Sequence, residues 1–138
     1  MKPTTEPSVD FPVAASLRPE NDDALADLLR MHAGGSGPVR LCGAGSQLES
    51  LPAPAGDAAP TLVSLAALDK ILRLDPDDLT CSVEPGLRLA DLATALREHG
   101  LCLPCPPAGA TTVGGLFAAG RSLPEAPGAL GARHLLLG

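Results

Sequence analysis

The sequence predicts an α+β fold, a small mixed sheet with flanking helices. Three observations carry that prediction. Short apolar runs bounded by Gly and Pro alternate with runs at helical spacing. Two adjacent runs, Lys70 to Asp75 and Leu79 to Glu84, are joined only by Pro76-Asp77-Asp78, which reads as an antiparallel hairpin. The helical runs do not alternate regularly with the strands, so a doubly wound parallel sheet is disfavoured.

The elements follow in chain order. Residues 1–18 form a Pro-rich lead-in. Asn21 then caps a helix, with Asp22 and Asp23 at the positive end of its dipole and Leu25, Leu28, Leu29 and His32 along one face. Gly34-Gly35 ends it. His32 reads as a packed residue, because no second ligand lies at metal spacing. Pro38 to Cys42 is a short strand, residues 51–60 a loop, and Thr61 to Leu65 a second strand. After the hairpin, Pro85-Gly86 stops the sheet pattern. Leu89, Leu92, Ala93 and Leu96 mark an amphipathic helix that Gly100 closes, with Arg97 and His99 at its negative end. Gly114 to Ala119 forms a short helix, and Leu135-Leu136-Leu137 reads as a final strand.

The chain has 138 residues, the size of one domain or part of a larger one. Apolar residues make up 45 %, enough for a buried core, but there is no Trp or Tyr, and Phe11 and Phe117 are the aromatics. A core of Leu, Ala and Val buries little area per residue, so modest stability is expected. Net charge is −6 without a basic run. Nucleic-acid binding needs a cationic footprint and usually stacking aromatics, and is set aside. The N-terminus lacks the apolar run of a secretory signal. The uncharged stretch from Gly100 to Gly120 is interrupted by Pro104, Pro106 and Pro107 and reads as a buried loop, not a membrane span. A cytoplasmic location with reduced cysteines is expected.

Cys102-Leu103-Pro104-Cys105 has the spacing of a redox or metal pair. A structural zinc site needs two such pairs, and Cys42 and Cys81 do not form one. A redox pair opens a helix, whereas Pro106-Pro107 follow here. No metal is expected, and these cysteines read as packing residues.

Two glycine turns remain. Gly43-Ala44-Gly45-Ser46-Gln47 follows a strand, but Leu48 stands where a dinucleotide fingerprint has its third glycine, and no Gly-Lys-Ser/Thr occurs. Such a turn is either a plain turn or an anion nest of backbone N–H groups. Thr111-Thr112-Val113-Gly114-Gly115 is equally open: its bare backbone can hold a phosphate or a flat ligand.

The order of these features is more specific than any one of them. From about residue 19 to the end, Val39 to Ser46, Leu62 to Ile71, Asp75 to Gly86, Leu89 to His99, Pro106-Pro107, Thr112 to Gly115 and Gly131 to Gly138 follow one another as in a known flavoprotein domain. The chain resembles the FAD-binding domain of the vanillyl-alcohol oxidase / p-cresol methylhydroxylase family (PCMH-type), and within it is most similar to the FAD-binding subunits of glycolate oxidases. The resemblance implies noncovalent FAD, as no His stands in the first turn, and oxidation of a 2-hydroxy acid. It places Gly43, Ala44, Gly45, Ser46 and Gln47 on the pyrophosphate. Val83, Glu84, Pro85 and Gly86 fall near the adenosine half, and Pro107, Thr112, Val113, Gly114 and Gly115 along the ribityl and isoalloxazine. His134 stands where the family usually has Asp, and residues 121–130 are less basic than the family's loop.

In that family a second lobe and a substrate cap domain follow the position of Gly138. The expectation is therefore an N-terminal lobe, residues 19–138, with no catalytic residue of its own and inactive alone. It is expected to need other oxidase subunits, or a chain supplying the missing lobe. The alternative is a non-catalytic remnant or interaction subunit.

Overall fold

The computed structural model describes residues 11–35, 37–46, 48, 58–104, 111–120 and 131–137. The chain divides into two compact units, Met1–Leu68 and Asp69–Gly138.

The first unit is a three-stranded parallel sheet in the order β1-β3-β2, with β1 at Ala15–Leu17, β2 at Val39–Cys42 and β3 at Thr61–Ser64. β3 is central and all four of its residues are buried. It pairs Thr61 with both Ala15 and Val39, and its end pairs Ser64 with Cys42. Cys42, Leu48 and Leu62 form a buried cluster, and Val63 and Leu68 are also enclosed.

Helix α1, Asp22–Ala33, connects β1 to β2 and forms for the local reasons its sequence suggests. The Asn21 Oδ1 accepts the Ala24 N–H at 2.8 Å, and Gly35 takes the left-handed conformation beyond its last turn (φ +108). No residue of α1 is fully buried. His32 ties it to the sheet: Nδ1 donates to the Leu28 carbonyl at 2.9 Å, leaving Nε2, 3.3 Å away, to accept from the Thr61 hydroxyl.

β1 lies inside the segment read from sequence as a lead-in. Ala-Ser-Leu has no β-branched residue, and its strand exists because β3 offers a free edge. Residues 1–10 of that segment fall outside the described residues.

The second unit opens with the hairpin. β4, Ile71–Asp75, and β5, Thr80–Val83, pair antiparallel, with an irregularity between Ile71 and Arg73. The parallel and antiparallel pairings thus occupy separate sheets. The Asp75 carboxylate accepts the Asp78 N–H at 3.3 Å, and Leu79 completes the turn at φ +54. At the open end, Glu84 N–H donates to the Lys70 carbonyl at 2.9 Å and its Oε2 accepts the Lys70 N–H at 2.8 Å.

Helix α2, Leu89–Glu98, buries Leu89, Leu92 and Leu96, and Gly100 ends it at φ +71. These leucines join Leu87, Val113, Leu116 and Ala132 in one cluster. Ile71, Leu74, Val83, Leu101, Leu103 and Phe117 pack around it. Helix α3, Val113–Ala118, is short, and its Val113 and Leu116 enter that cluster.

The expected final strand is corrected. Ala132–Leu135 is a 3-10 turn, and Leu135, Leu136 and Leu137 are exposed. The His134 N–H donates to the Gly131 carbonyl at 3.0 Å, and its Nδ1 lies 3.1 Å from the Gly131 N–H. That local closure draws the chain into a turn, and among the described residues no strand pairs with the leucines. Residues 121–130 and most of the 51–60 loop lie outside the described residues, and among those described no helix is long and apolar enough to cross a membrane.

Candidate functional site

The first glycine turn grows out of the end of β2. Cys42 is held on two counts: it pairs with Ser64, and its carbonyl accepts the Leu65 N–H at 2.8 Å. Gly45 then takes φ +80, a conformation that disfavours any side chain. Its carbonyl accepts the Leu48 N–H at 3.0 Å, and Leu48 is buried, so the turn is anchored at both ends.

Between those anchors the backbone is open. Gly43, Ala44 and Gly45 are half-buried, and among the described residues their three N–H groups donate to no protein acceptor. Ser46 is exposed. Consecutive unengaged amides with glycine on either side suit an anion with several acceptor oxygens. No carboxylate lies within residues 43–46 to repel one. A phosphate or diphosphate therefore fits the donor set. Gln47, assigned to the same turn, lies outside the described residues.

Burial pushes the Cys42 thiol upward, and the Ser64 hydrogen bond only partly opposes this. The fold thus favours the protonated thiol. Its contribution to stability is fully present below the ordinary thiol range and is lost as pH rises through the raised value. Urea unfolding at about pH 7 and about pH 10 should show that loss in the wild type and a smaller one in Cys42→Ala. An equal loss in both would remove Cys42 as its source.

The second turn is arranged differently. Thr112 caps α3, its Oγ1 accepting the Gly115 N–H at 3.2 Å. The Gly114 N–H donates to the Pro85 carbonyl at 2.8 Å and the Val113 N–H to the Leu87 carbonyl at 2.8 Å. The Leu89 N–H donates to the Thr111 carbonyl at 3.0 Å, and Arg88 and Thr112 form an antiparallel bridge. The space a Gly114 side chain would need is filled by Pro85, 2.8 Å from an ideal Cβ position.

The amides of Val113, Gly114 and Gly115 are all engaged within the unit. This turn holds the Pro85-Gly86-Leu87 segment, with Gly86 buried beside it, and leaves no amide of the three for a phosphate. Sequence reasoning placed both segments in the site but missed that they bind each other. Nothing in a proline marks its carbonyl as a helix-end acceptor. Glu84 likewise has its carboxylate on the Lys70 amide.

Cys42, Cys81 and Cys102 are free thiols, the last two exposed, while Cys105 and Pro107 fall outside the described residues. Among the described residues no group of three His, Cys, Asp or Glu side chains gathers as a metal centre.

Comparison with known proteins gives a family match and distant relatives. A family model described as "FAD binding domain" matches residues 13–128. L-galactono-1,4-lactone dehydrogenase 1, mitochondrial, of Oryza sativa subsp. japonica is 37 % identical over 87 residues, which are 63 % of this chain and 14 % of the relative. L-galactono-1,4-lactone dehydrogenase 2, mitochondrial, of the same organism is 34 % identical over 87 residues, again 63 % of this chain and 14 % of the relative. The chain thus matches only a small part of the curated relatives' length.

Proposed function

Because the chain belongs to the FAD binding domain family, we propose that it supplies the diphosphate-holding wall of a noncovalent FAD site in an oxidoreductase. The observation that carries this reading is the open run of amides at Gly43, Ala44 and Gly45, fixed between the end of β2 and the buried Leu48. Those N–H groups would donate to the diphosphate oxygens, and the absent Cβ atoms let it approach the backbone. The family resemblance places Thr112, Val113, Gly114 and Gly115 along the flavin; with the amides of Val113, Gly114 and Gly115 engaged, these residues would meet it by van der Waals contact.

The flavin, when bound, carries the redox chemistry, and the protein supplies binding and orientation. We propose as substrate a 2-hydroxy acid, as in glycolate oxidases, or its lactone, as the names of the rice relatives suggest. An aldono-1,4-lactone, like a 2-hydroxy acid, bears a hydroxyl on the carbon next to its carbonyl, so both offer the same carbinol C–H for oxidation. The remaining walls of the pocket and the substrate contacts are assigned to protein beyond these residues, whether in the same polypeptide or a partner.

Amide NMR tests this directly, since it detects binding even at a Kd of about 1 mM. Titration with FAD or ADP should shift the Gly43, Ala44 and Gly45 resonances, and riboflavin, which has no diphosphate, should leave them in place. Stationary Gly43–Gly45 resonances at saturating FAD would overturn the reading.

A further inference from the structure

We infer that Arg18 is a second, cationic contact for the diphosphate at the Gly43–Gly45 turn; this rests on the function proposed above. The argument begins with topology. β1, β3 and β2 are parallel, so their carboxyl ends lie on one edge of the sheet, and in the order β1-β3-β2 the end of β3 lies between the other two. Arg18 follows the last residue of β1, and Gly43 follows the last residue of β2. Ligands of open parallel sheets gather at such an edge.

The side chain points the right way along that edge. Arg18 Nη2 lies 3.4 Å from the Ala66 carbonyl, just beyond the end of β3. The guanidinium thus reaches from the end of β1 to the loop that follows β3, the central strand, whose other neighbour is the strand that carries the glycine turn. The Leu65 N–H bonds the Cys42 carbonyl, so the loop that Arg18 touches starts beside the glycine turn. The Ala66 contact is long and uses one of five N–H donors, leaving the fork able to turn to a phosphate.

Charge singles out the same residue. The described cationic side chains of the first unit, besides His32, are Arg18, Arg30 and Arg40. Arg30 is paired with Asp27 at 2.6 Å, and Arg40 lies over the Phe11 ring, 5.0 Å from its centroid. Arg18 is exposed and, among the described residues, has no acidic partner. A diphosphate held by neutral amides retains its negative charge, and Arg18 is the cation placed to meet it.

The test measures affinity by amide NMR for the wild type, Arg18→Gln and, as a control, Arg30→Gln. The probes are FAD, ADP and inorganic pyrophosphate. Arg18→Gln should weaken all three about tenfold, equivalent to about 1.4 kcal/mol, while Arg30→Gln should leave them unchanged. The Gly43–Gly45 resonances should reach the same end point in Arg18→Gln, showing that the turn itself is intact. Added salt should narrow the gap between wild type and Arg18→Gln. Equal affinities for wild type and Arg18→Gln would overturn the role of Arg18 and leave the proposed function standing. Absence of any shift at Gly43–Gly45 in the wild type would overturn both.

Discussion

Gly114→Ala should destabilise the second unit by about 1–3 kcal/mol net, although the substitution improves helix propensity. Gly114 is the second residue of α3, and replacing a helical glycine by alanine is ordinarily worth about 1 kcal/mol of stabilisation. Here the added methyl would lie 2.8 Å from the Pro85 Cβ, 2.9 Å from its carbonyl oxygen and 3.3 Å from its Cα. None of these atoms is the end of a flexible side chain, so relief requires backbone movement. Overpacking of that kind costs about 1–3 kcal/mol. Separating the two segments also weakens the Gly114 N–H to Pro85 carbonyl bond of 2.8 Å, a further ~1 kcal/mol. The clash exceeds the propensity gain. Gly34→Ala is the control, because its added methyl meets only the Met31 carbonyl at 3.4 Å, an ordinary contact, and the change should stay near 0.5 kcal/mol or less. Urea unfolding followed by far-ultraviolet circular dichroism measures both. A neutral or stabilised Gly114→Ala would show that Pro85 does not bear on α3.

This prediction also shows where the sequence was legible. Elements specified by local chemistry were read correctly. Asn21 announces α1 because its side chain bonds an amide three residues away, and Pro76-Asp77-Asp78 marks the hairpin as a local turn, closed in the structure by the Asp75 carboxylate on the Asp78 amide. Elements specified by partners distant in sequence were not. β1 needs β3, some 45 residues on, to become a strand. Leu135 to Leu137 have strand composition, but the partner was assumed, and His134 closes a turn instead.

The site divides in the same way. Both glycine turns look alike in sequence, and each was open to a structural or a binding role. What separates them is the fate of their amides: engaged with Pro85, Leu87 and Thr112 in one, without a protein acceptor among the described residues in the other. That depends on which segment packs beside each turn, and periodicity carries no information about it. Gly114 illustrates the point. A glycine beside a suspected cofactor site suggests room for a ligand, yet its missing Cβ makes room for a proline.

Leu92→Ala should cost about 2–5 kcal/mol, the range for truncating a buried leucine whose surroundings close only partly around the cavity. Leu92 is 3 % exposed on the inner face of α2, within a cluster built from leucine, valine and alanine. No tryptophan or tyrosine exists anywhere in the chain, and Phe117 only borders this cluster. Stability therefore comes from many small side chains, and no single aromatic can absorb the loss of one of them. Domains of ordinary stability unfold at about 5–15 kcal/mol in total, so the change removes a large fraction of what is present. The effect reaches the second turn, because Val113 and Leu116 of α3 share the cluster with Leu92. Amide exchange at Gly114 and Gly115 should accelerate along with exchange in α2. Leu72→Ala, at a position 62 % exposed on β4, provides the contrast and should change stability by about 0.5 kcal/mol or less. Equal losses at the two positions would mean that α2 does not seal this core, and that α3 is held by the Pro85 and Leu87 hydrogen bonds without it.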